Sequence, residues 1–105
     1  MPYAIVLAPD AAKQLKALRA RVFAEVRDAM QTHLRHQPAK VSKSRIKRLR
    51  GLSQPQYRLR VGEIRVYYDV GDAAVEVLAV ITKAQAAAWL KEKGVPSEEG
   101  GTSED

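Results

Sequence analysis

The sequence predicts a small α+β domain, in which a small antiparallel sheet carries an N-terminal helical hairpin on one face and a short C-terminal helix. Three observations lead to this fold class. A β-branched apolar run opens the chain, a stripe of apolar residues at helical spacing follows, and three strand-like runs joined by tight turns come next. Because 105 residues suit one domain, we expect a single domain over residues 1–95 and an acidic, disordered tail over 96–105.

The N-terminal half predicts one strand and a helical hairpin. Residues 3–7 (YAIVL) are apolar and partly β-branched, which is typical of a strand, and Asp10 is a plausible N-cap for the helix that follows. Apolar residues then recur at steps of three and four until Pro38, and this is the period of an α-helix. The pattern allows two helices that part near Ala20, or one bent helix. The stripe consists of Leu15, Leu18, Val22, Val26, Met30 and Leu34.

The C-terminal half predicts a basic loop, a three-stranded meander and a helix. Residues 39–50 are polar and basic, so we expect a loop, with Ile46 and Leu49 attaching its end to the core. Three runs rich in β-branched and aromatic residues predict antiparallel strands, because tight glycine-containing turns separate them. Helix-forming residues over 83–93 predict the last helix. The three strand-like runs are 56–61, 64–70 and 74–81.

Alternation along the first two strands of the meander assigns each side chain to a face. A two-residue turn at Gly62-Glu63 places Arg60 opposite Arg65 and Arg58 opposite Tyr67. Like charges directly opposite each other destabilise a sheet, so a bound anion would relieve this pairing. The alternative is that the three arginine head groups extend into water and their stems cover the sheet. The other face is apolar, with the pairs Val61–Ile64, Leu59–Val66 and Tyr57–Tyr68.

The orientation of the third strand depends on the length of its turn. If Gly71-Asp72 is a two-residue turn, Leu78 and Val80 lie on the arginine side, whereas another turn length reverses this assignment.

Charge points to a polyanionic partner. The chain has a formal charge of +6, and four of its twelve acids lie in the last eight residues, so 18 basic residues against eight acids give +10 over residues 1–97. Nucleic acid, a membrane surface or an acidic protein would fit this charge. The basic residues concentrate in 40–65, where Glu63 is the single acid. Candidate RNA-backbone contacts are Lys43, Arg45, Lys47, Arg48 and Arg50.

Several other classes of function find no support in the sequence. No apolar run reaches the length of a membrane span, and the N-terminus lacks the basic region of a signal peptide. There is no cysteine, and His33 and His36 have no further ligands nearby in sequence, so we expect no metal site and no cofactor. The two histidines are better explained as solvated residues at a helix end.

The central motifs carry a family resemblance. The segments RLRGL (48–52), YRLRVGEIRVYYDV (57–70) and VEVLAVITK (75–83) resemble the RelE/ParE superfamily of toxins from type II toxin–antitoxin systems. The resemblance covers roughly residues 3–90, and the N-terminal strand and helical hairpin occur in the same order as in that family.

This resemblance implies a small cytoplasmic toxin that a cognate antitoxin neutralises, with operator DNA bound only through the toxin–antitoxin complex. RelE-like members cleave mRNA on the ribosome by attack of the substrate 2′-hydroxyl, and basic side chains stabilise the charge that develops, without a metal. Carried over by position, Arg58 and Arg60 match the two basic strand residues of that site, and Arg65 matches the arginine after the turn.

The C-terminal segment departs from the RelE pattern. Ala84 and Leu90 occupy the positions where RelE-type enzymes have an arginine and a tyrosine. Tyr67 is a candidate acid/base in their place, on the condition that its arginine neighbours lower its pKa. A ParE-like inhibitor of DNA gyrase without nuclease activity, or a degenerate toxin that only binds its antitoxin, are the alternatives. Trp89 fits core packing and contact with an antitoxin equally well.

Overall fold

A computed structural model describes residues 2–97 of the chain. Its helices are α1 (Pro9–Lys16), α2 (Ala20–Leu34) and α3 (Lys83–Lys93). Its strands are β1 (Ala4–Leu7), β2 (Ile46–Arg48), β3 (Leu52–Gln54), β4 (Tyr57–Val61), β5 (Ile64–Val70), β6 (Ala74–Thr82) and β7 (Val95–Pro96). Residues 98–105, most of the predicted acidic tail, lie outside the described residues.

The predicted α+β class is confirmed. Five strands form one sheet in the order β1-β6-β5-β4-β2, and β3 and β7 form a small second sheet. The prediction of a purely antiparallel sheet is wrong: the main sheet is mixed, because β1 pairs parallel to β6, whereas the β6–β5, β5–β4 and β4–β2 pairs are antiparallel. Tight turns impose antiparallel pairing only within the meander, whereas the long connection through the helices leaves the direction of β1 unconstrained.

The N-terminal helices form the predicted hairpin as two separate helices. α1 ends at Lys16 and α2 begins at Ala20. Asp10 is not the N-cap, which was a wrong prediction. The helix begins at Pro9, two residues before the start that an N-cap at Asp10 implies, and Ala8 takes the cap position. Proline is tolerated in the first turn of a helix, because the backbone N–H that it lacks would have no partner there. The apolar stripe packs onto one face of the sheet, with Leu15, Val26, Met30 and Leu34 buried.

The register of β4 and β5 follows the sequence prediction at every pair, including Arg60 opposite Arg65. The two-residue interpretation of the next turn is wrong. Val70 pairs with Val75, so the turn is longer, and a bulge between Tyr67 and Tyr68 adds one residue to β6. The two extra turn residues alone would keep Val80 on the arginine side, but the bulge shifts it opposite Val66 in the helix-covered core, where it is buried.

Two short pairings were not predicted. β2 lies inside the predicted loop over 39–50 and pairs antiparallel with β4. Ile46 is buried, as its predicted role in attaching the loop to the core requires. Val95–Pro96 pairs with Leu52–Gln54, and the backbone N–H of Ser97 donates to the carbonyl of Gly51 at 3.0 Å. Pro96 and Ser97, predicted to belong to the tail, therefore contact the domain.

Candidate functional site

The side of the main sheet opposite the helical hairpin carries the candidate site. Strand alternation directs Arg58, Arg60, Arg65 and Tyr67 to this side, and the β4–β5 register brings them into adjacent pairs. We call these four residues the arginine face. The structure thus brings together all four residues that the sequence predicts as the reactive group.

The guanidinium groups differ in burial and in hydrogen bonding. Arg65 is only 7% exposed, and its Nη1 donates to the carbonyls of Gly62 at 2.8 Å and Ile64 at 3.1 Å. Arg58 is partly buried, and its Nε is buried without a hydrogen-bond partner. Arg60 is exposed. Two of the three arginines are therefore held against the sheet, and one of them has an unsatisfied donor.

No carboxylate balances this charge. Among residues 2–97, Arg27–Asp28 is the only ion pair, and it lies on the exposed surface of α2. Burial lowers the pKa of Arg58, and the positive charges of Arg65 and Arg60 lower it further. Arginine nevertheless stays protonated at neutral pH because its pKa is so high. The arginine face is therefore electropositive, partly desolvated and without a counterion among residues 2–97, which favours binding of an anion.

Tyr67 does not meet the condition set for an acid/base with a lowered pKa. Burial raises the pKa of its phenol, and this effect exceeds the opposing influence of Arg58 and Arg65. The phenol is therefore protonated at neutral pH and is a hydrogen-bond and proton donor.

Trp89 explains the burial of Tyr67. The two rings are stacked, with centroids 5.3 Å apart and planes inclined by 16°. Tyr67, Ala79 and Ile81 form a second buried cluster, on which α3 packs through Trp89 and Leu90. Trp89 thus packs against the arginine side of the sheet. The sequence did not identify this stack, because nothing in a linear pattern links a helix residue to one strand residue.

The C-terminal positions that depart from the RelE pattern lie in different surroundings. Ala84 is exposed in the first turn of α3. Leu90 is half-buried and, with Lys47 and Arg50, lines an open cavity of about 640 Å³. Neither side chain can move a proton.

The five predicted RNA-backbone contacts separate into groups. Lys47 lies opposite Arg58 on β4, and Arg45 lines a small surface cavity together with Arg60. Arg48 is on the other side, because alternation along β2 pairs it with Tyr57, and its guanidinium carbon lies 5.1 Å from the centroid of that ring. Lys43 is exposed in the loop before β2, and Arg50 lines the cavity near Leu90.

The described residues contain neither a candidate metal site nor a candidate membrane-spanning helix. Over residues 2–97, no group of three or more His, Cys, Asp or Glu side chains could hold a metal ion. In the same range no helix has the length and apolarity needed to cross a membrane.

Comparison with known proteins gives a family match. The model for the ParE toxin of type II toxin–antitoxin systems, parDE, matches residues 5–87. No curated protein sequence matches the chain.

Solved structures of toxins resemble the chain over most of its length. The toxin–antitoxin complex RelBE2 from Mycobacterium tuberculosis contains a chain with 26% identity and a TM-score of 0.61, and the match covers 78% of this chain and 99% of that one. The archaeal RelE–RelB complex from Pyrococcus horikoshii OT3 gives 27% identity, a TM-score of 0.58 and coverage of 82% and 100%. A double mutant of E. coli toxin RelE in the free state shares the fold, with 22% identity, a TM-score of 0.65 and coverage of 89% and 94%.

Proposed function

We propose that this chain, which belongs to the ParE toxin family of type II toxin–antitoxin systems, is a ribosome-dependent mRNA endonuclease that a cognate antitoxin neutralises. The observation that carries the proposal is the arginine face, where Arg58 and Arg65 are partly or largely buried and have no carboxylate partner among residues 2–97. The similar toxins from Mycobacterium tuberculosis and Pyrococcus horikoshii are in complexes with antitoxins, which supports the same kind of partner here. A ribosomal target implies action in the cytoplasm.

The arginine face suits the charge that develops during RNA cleavage. The substrate 2′-oxygen attacks the adjacent phosphorus, the bond to the 5′-oxygen breaks, and a 2′,3′-cyclic phosphate and a 5′-hydroxyl result. The pentavalent intermediate carries more negative charge than the phosphodiester, so preorganised guanidinium groups stabilise it more than the substrate. Arg65 is preorganised by its two hydrogen bonds to backbone carbonyls. Arg58 and Arg60 lie on the paired strand, on the same side of the sheet.

Tyr67 is the proposed general acid. Because burial raises its pKa, the phenol holds its proton at neutral pH and is able to give it to the departing 5′-oxygen. The proton of the attacking 2′-hydroxyl passes to water, because Ala84 and Leu90 offer no base. We expect cleavage by this chain to be slower than that by toxins with an arginine and a tyrosine at these positions.

Ala84 and Leu90 also favour a second candidate function. A ParE-like toxin that inhibits DNA gyrase needs no proton transfer, and its arginine face would bind an acidic protein surface instead of RNA. A third reading is a degenerate toxin that retains only antitoxin binding and reaches operator DNA through that complex.

The test is primer extension on an mRNA translated in vitro with the purified chain. We expect cuts at fixed positions within codons, only when ribosomes are present, and a loss of at least a hundredfold in Arg65→Ala. The matched control is Lys16→Ala, which removes an exposed positive charge at the end of α1 and should cut normally. Circular dichroism checks that both variants fold, and Arg58→Ala repeats the test without disturbing the backbone bonds of Arg65.

An intact message with the folded wild-type chain would refute the nuclease proposal. A gyrase supercoiling assay would then separate the second function from the third. Inhibited supercoiling would identify a ParE-like toxin, and unaffected supercoiling a degenerate one.

A further inference from the structure

A second basic site lies at the edge of the domain, between the end of α2 and the start of β2. It is a cavity of about 270 Å³ whose walls include His33, His36, Lys40 and Arg45. The hydroxyl-bearing Ser42 and the buried Ile46 complete one side. None of the residues that line the cavity is an Asp or a Glu.

Hydrogen bonds fix the walls of this cavity. The buried Tyr68 hydroxyl donates to the carbonyl of Pro38 at 2.7 Å, which attaches the connection between α2 and β2 to the core. Ser42 Oγ accepts from the backbone N–H groups of Arg45 at 3.1 Å and Ile46 at 3.2 Å. The backbone of the loop is thus held in a defined shape, so it needs little reorganisation when a ligand binds.

The charges that face the cavity repel one another. His33 is half-buried, and burial together with the positive charge of Arg45 lowers its pKa. Lys40 adds another positive charge. An anion in the cavity would convert these repulsions into attractions, and it would favour protonation of His33.

Arg45 connects this cavity to the arginine face. It lines the histidine cavity, and with Arg60 and Gly62 it also lines the small surface cavity beside the β4–β5 turn. Its backbone carbonyl accepts from the N–H of Arg60 at 2.9 Å. Positive side chains therefore follow one another from the arginine face to the cavity around the edge of the sheet.

We propose that the cavity between α2 and β2 binds a phosphodiester group of an RNA strand that places another phosphate, more than two nucleotides further along, on the arginine face. This inference rests on the proposed function, because it identifies RNA as the polyanion. It assigns ligand contacts to His33, His36 and Lys40, and it gives Arg45 the role of bridging the two sites.

The test measures the affinity of the purified chain for single-stranded RNA by fluorescence anisotropy, with a labelled trinucleotide and a labelled decanucleotide. We expect Lys40→Ala/Arg45→Ala to weaken binding of the decanucleotide about tenfold and to leave the trinucleotide unchanged. Two lost phosphate contacts should also reduce the slope of log affinity against log salt by about 1.4. Arg21→Ala/Lys16→Ala is the matched control, since both residues are exposed and lie outside the cavity.

A second measurement reports on the cavity itself. NMR titration of the histidine side chains should show the pKa of His33 rising when the decanucleotide is bound, and no such rise in Arg45→Ala. Folding of every variant is checked by circular dichroism. Inorganic phosphate serves as the probe for a small free anion.

The outcomes distinguish this inference from the proposed function. Unchanged decanucleotide affinity in Lys40→Ala/Arg45→Ala would overturn the inference, even where ribosome-dependent cleavage remains intact. A His33 response to inorganic phosphate without any effect of the double variant on RNA would also overturn it, because the cavity would then hold a free anion. An intact mRNA combined with length-dependent loss of RNA affinity would support the second site and refute the nuclease.

Discussion

Strand alternation gives the β4–β5 hairpin one apolar side and one positively charged side. On the helix-covered side, Leu59 and Val66 are fully buried in a core closed by α1 and α2. On the other side, Arg58 and Arg65 lie partly or largely buried beside a smaller cluster that α3 covers only in part. Leu59 and Val66 of the core are thus each adjacent in sequence to an arginine of the arginine face.

The two sides differ in whether their buried polar and charged groups have partners within the chain. On the core side, the buried hydroxyl of Tyr68 has a hydrogen-bond partner within the chain, because it donates to the carbonyl of Pro38. The arginine side leaves Arg58 Nε without a partner and has no nearby carboxylate in the described chain. In the described chain the polar hydroxyl of the first side therefore has a partner, whereas the second side keeps a buried donor that an anion would satisfy.

The largest expected effect comes from the core side. Leu59→Ala should lower the free energy of unfolding by about 2–5 kcal/mol, because it leaves a cavity among fully buried residues. Urea unfolding followed by circular dichroism measures the loss. Arg60→Ala, one residue away and exposed, should change stability by no more than about 0.5 kcal/mol. Equal losses in the two variants would show that the faces are not distinct.

The next effect tests the one polar group in the core. Tyr68→Phe removes the hydrogen bond to Pro38 and should lower the free energy of unfolding by about 1–3 kcal/mol at neutral pH. Burial also raises the pKa of Tyr68 far above its usual value near 10. The folded state therefore holds a proton that the unfolded state releases, so stability is kept below about pH 10 and falls as the pH rises further.

Tyr68→Phe should reduce this alkaline loss. Tyr67 also has a raised pKa, so part of the loss should remain. Urea unfolding at a series of pH values from neutral to alkaline gives the comparison. An alkaline slope identical to that of the wild type would contradict the assignment to Tyr68.

Removing a charge from the arginine side should raise the free energy of unfolding instead of lowering it. Arg58→Met removes a buried donor without a partner and a positive charge beside Arg65, so we expect the free energy of unfolding to rise by about 1 kcal/mol. The same variant should lose RNA binding. Arg21→Met, at an exposed position on α2, should give no gain in stability. A loss of stability in Arg58→Met would mean that the arginine face is not strained by its own charge.

The smallest effect concerns the edge of the arginine face. Trp89→Leu removes the stack on Tyr67 while keeping an apolar side chain, and it should cost about 0.5 kcal/mol. The Tyr67 phenol should become more exposed and ionise at lower pH, because burial is the main cause of its raised pKa. Phenolate absorbance against pH detects this change, with Tyr67→Phe identifying the signal. An unchanged titration would show that Trp89 does not bury Tyr67.

Alternation and turn chemistry in the sequence were sufficient for the β4–β5 hairpin. Gly62 has a φ of +57°, as a tight turn of this kind allows, and with the turn fixed only one register puts all the apolar residues on one face. The helical stripe likewise determined which residues of α1 and α2 face the core, since that pattern is local. The arginine face could therefore be predicted from the sequence by residue number.

Tertiary structure decided the features that depend on distant segments. The bulge opposite Tyr67 sets the orientation of Val80, and no local sequence signal is strong enough to predict it. β2 forms by pairing with the edge of β4. This pairing places Arg48 opposite Tyr57, on the side of the sheet away from the arginine face. Tyr67 stacks on Trp89 through a contact between two elements, and burial raises the pKa of Tyr67.

The sequence by itself determined the α+β class, the β4–β5 register and the concentration of positive charge on one face, because all three follow from periodicities of a few residues. Only the tertiary structure decided which arginines are buried, that Tyr67 keeps its proton, and that His33 and Arg45 meet around one cavity. Burial and electrostatic coupling depend on neighbours far apart in the chain, and a linear pattern does not encode those distances.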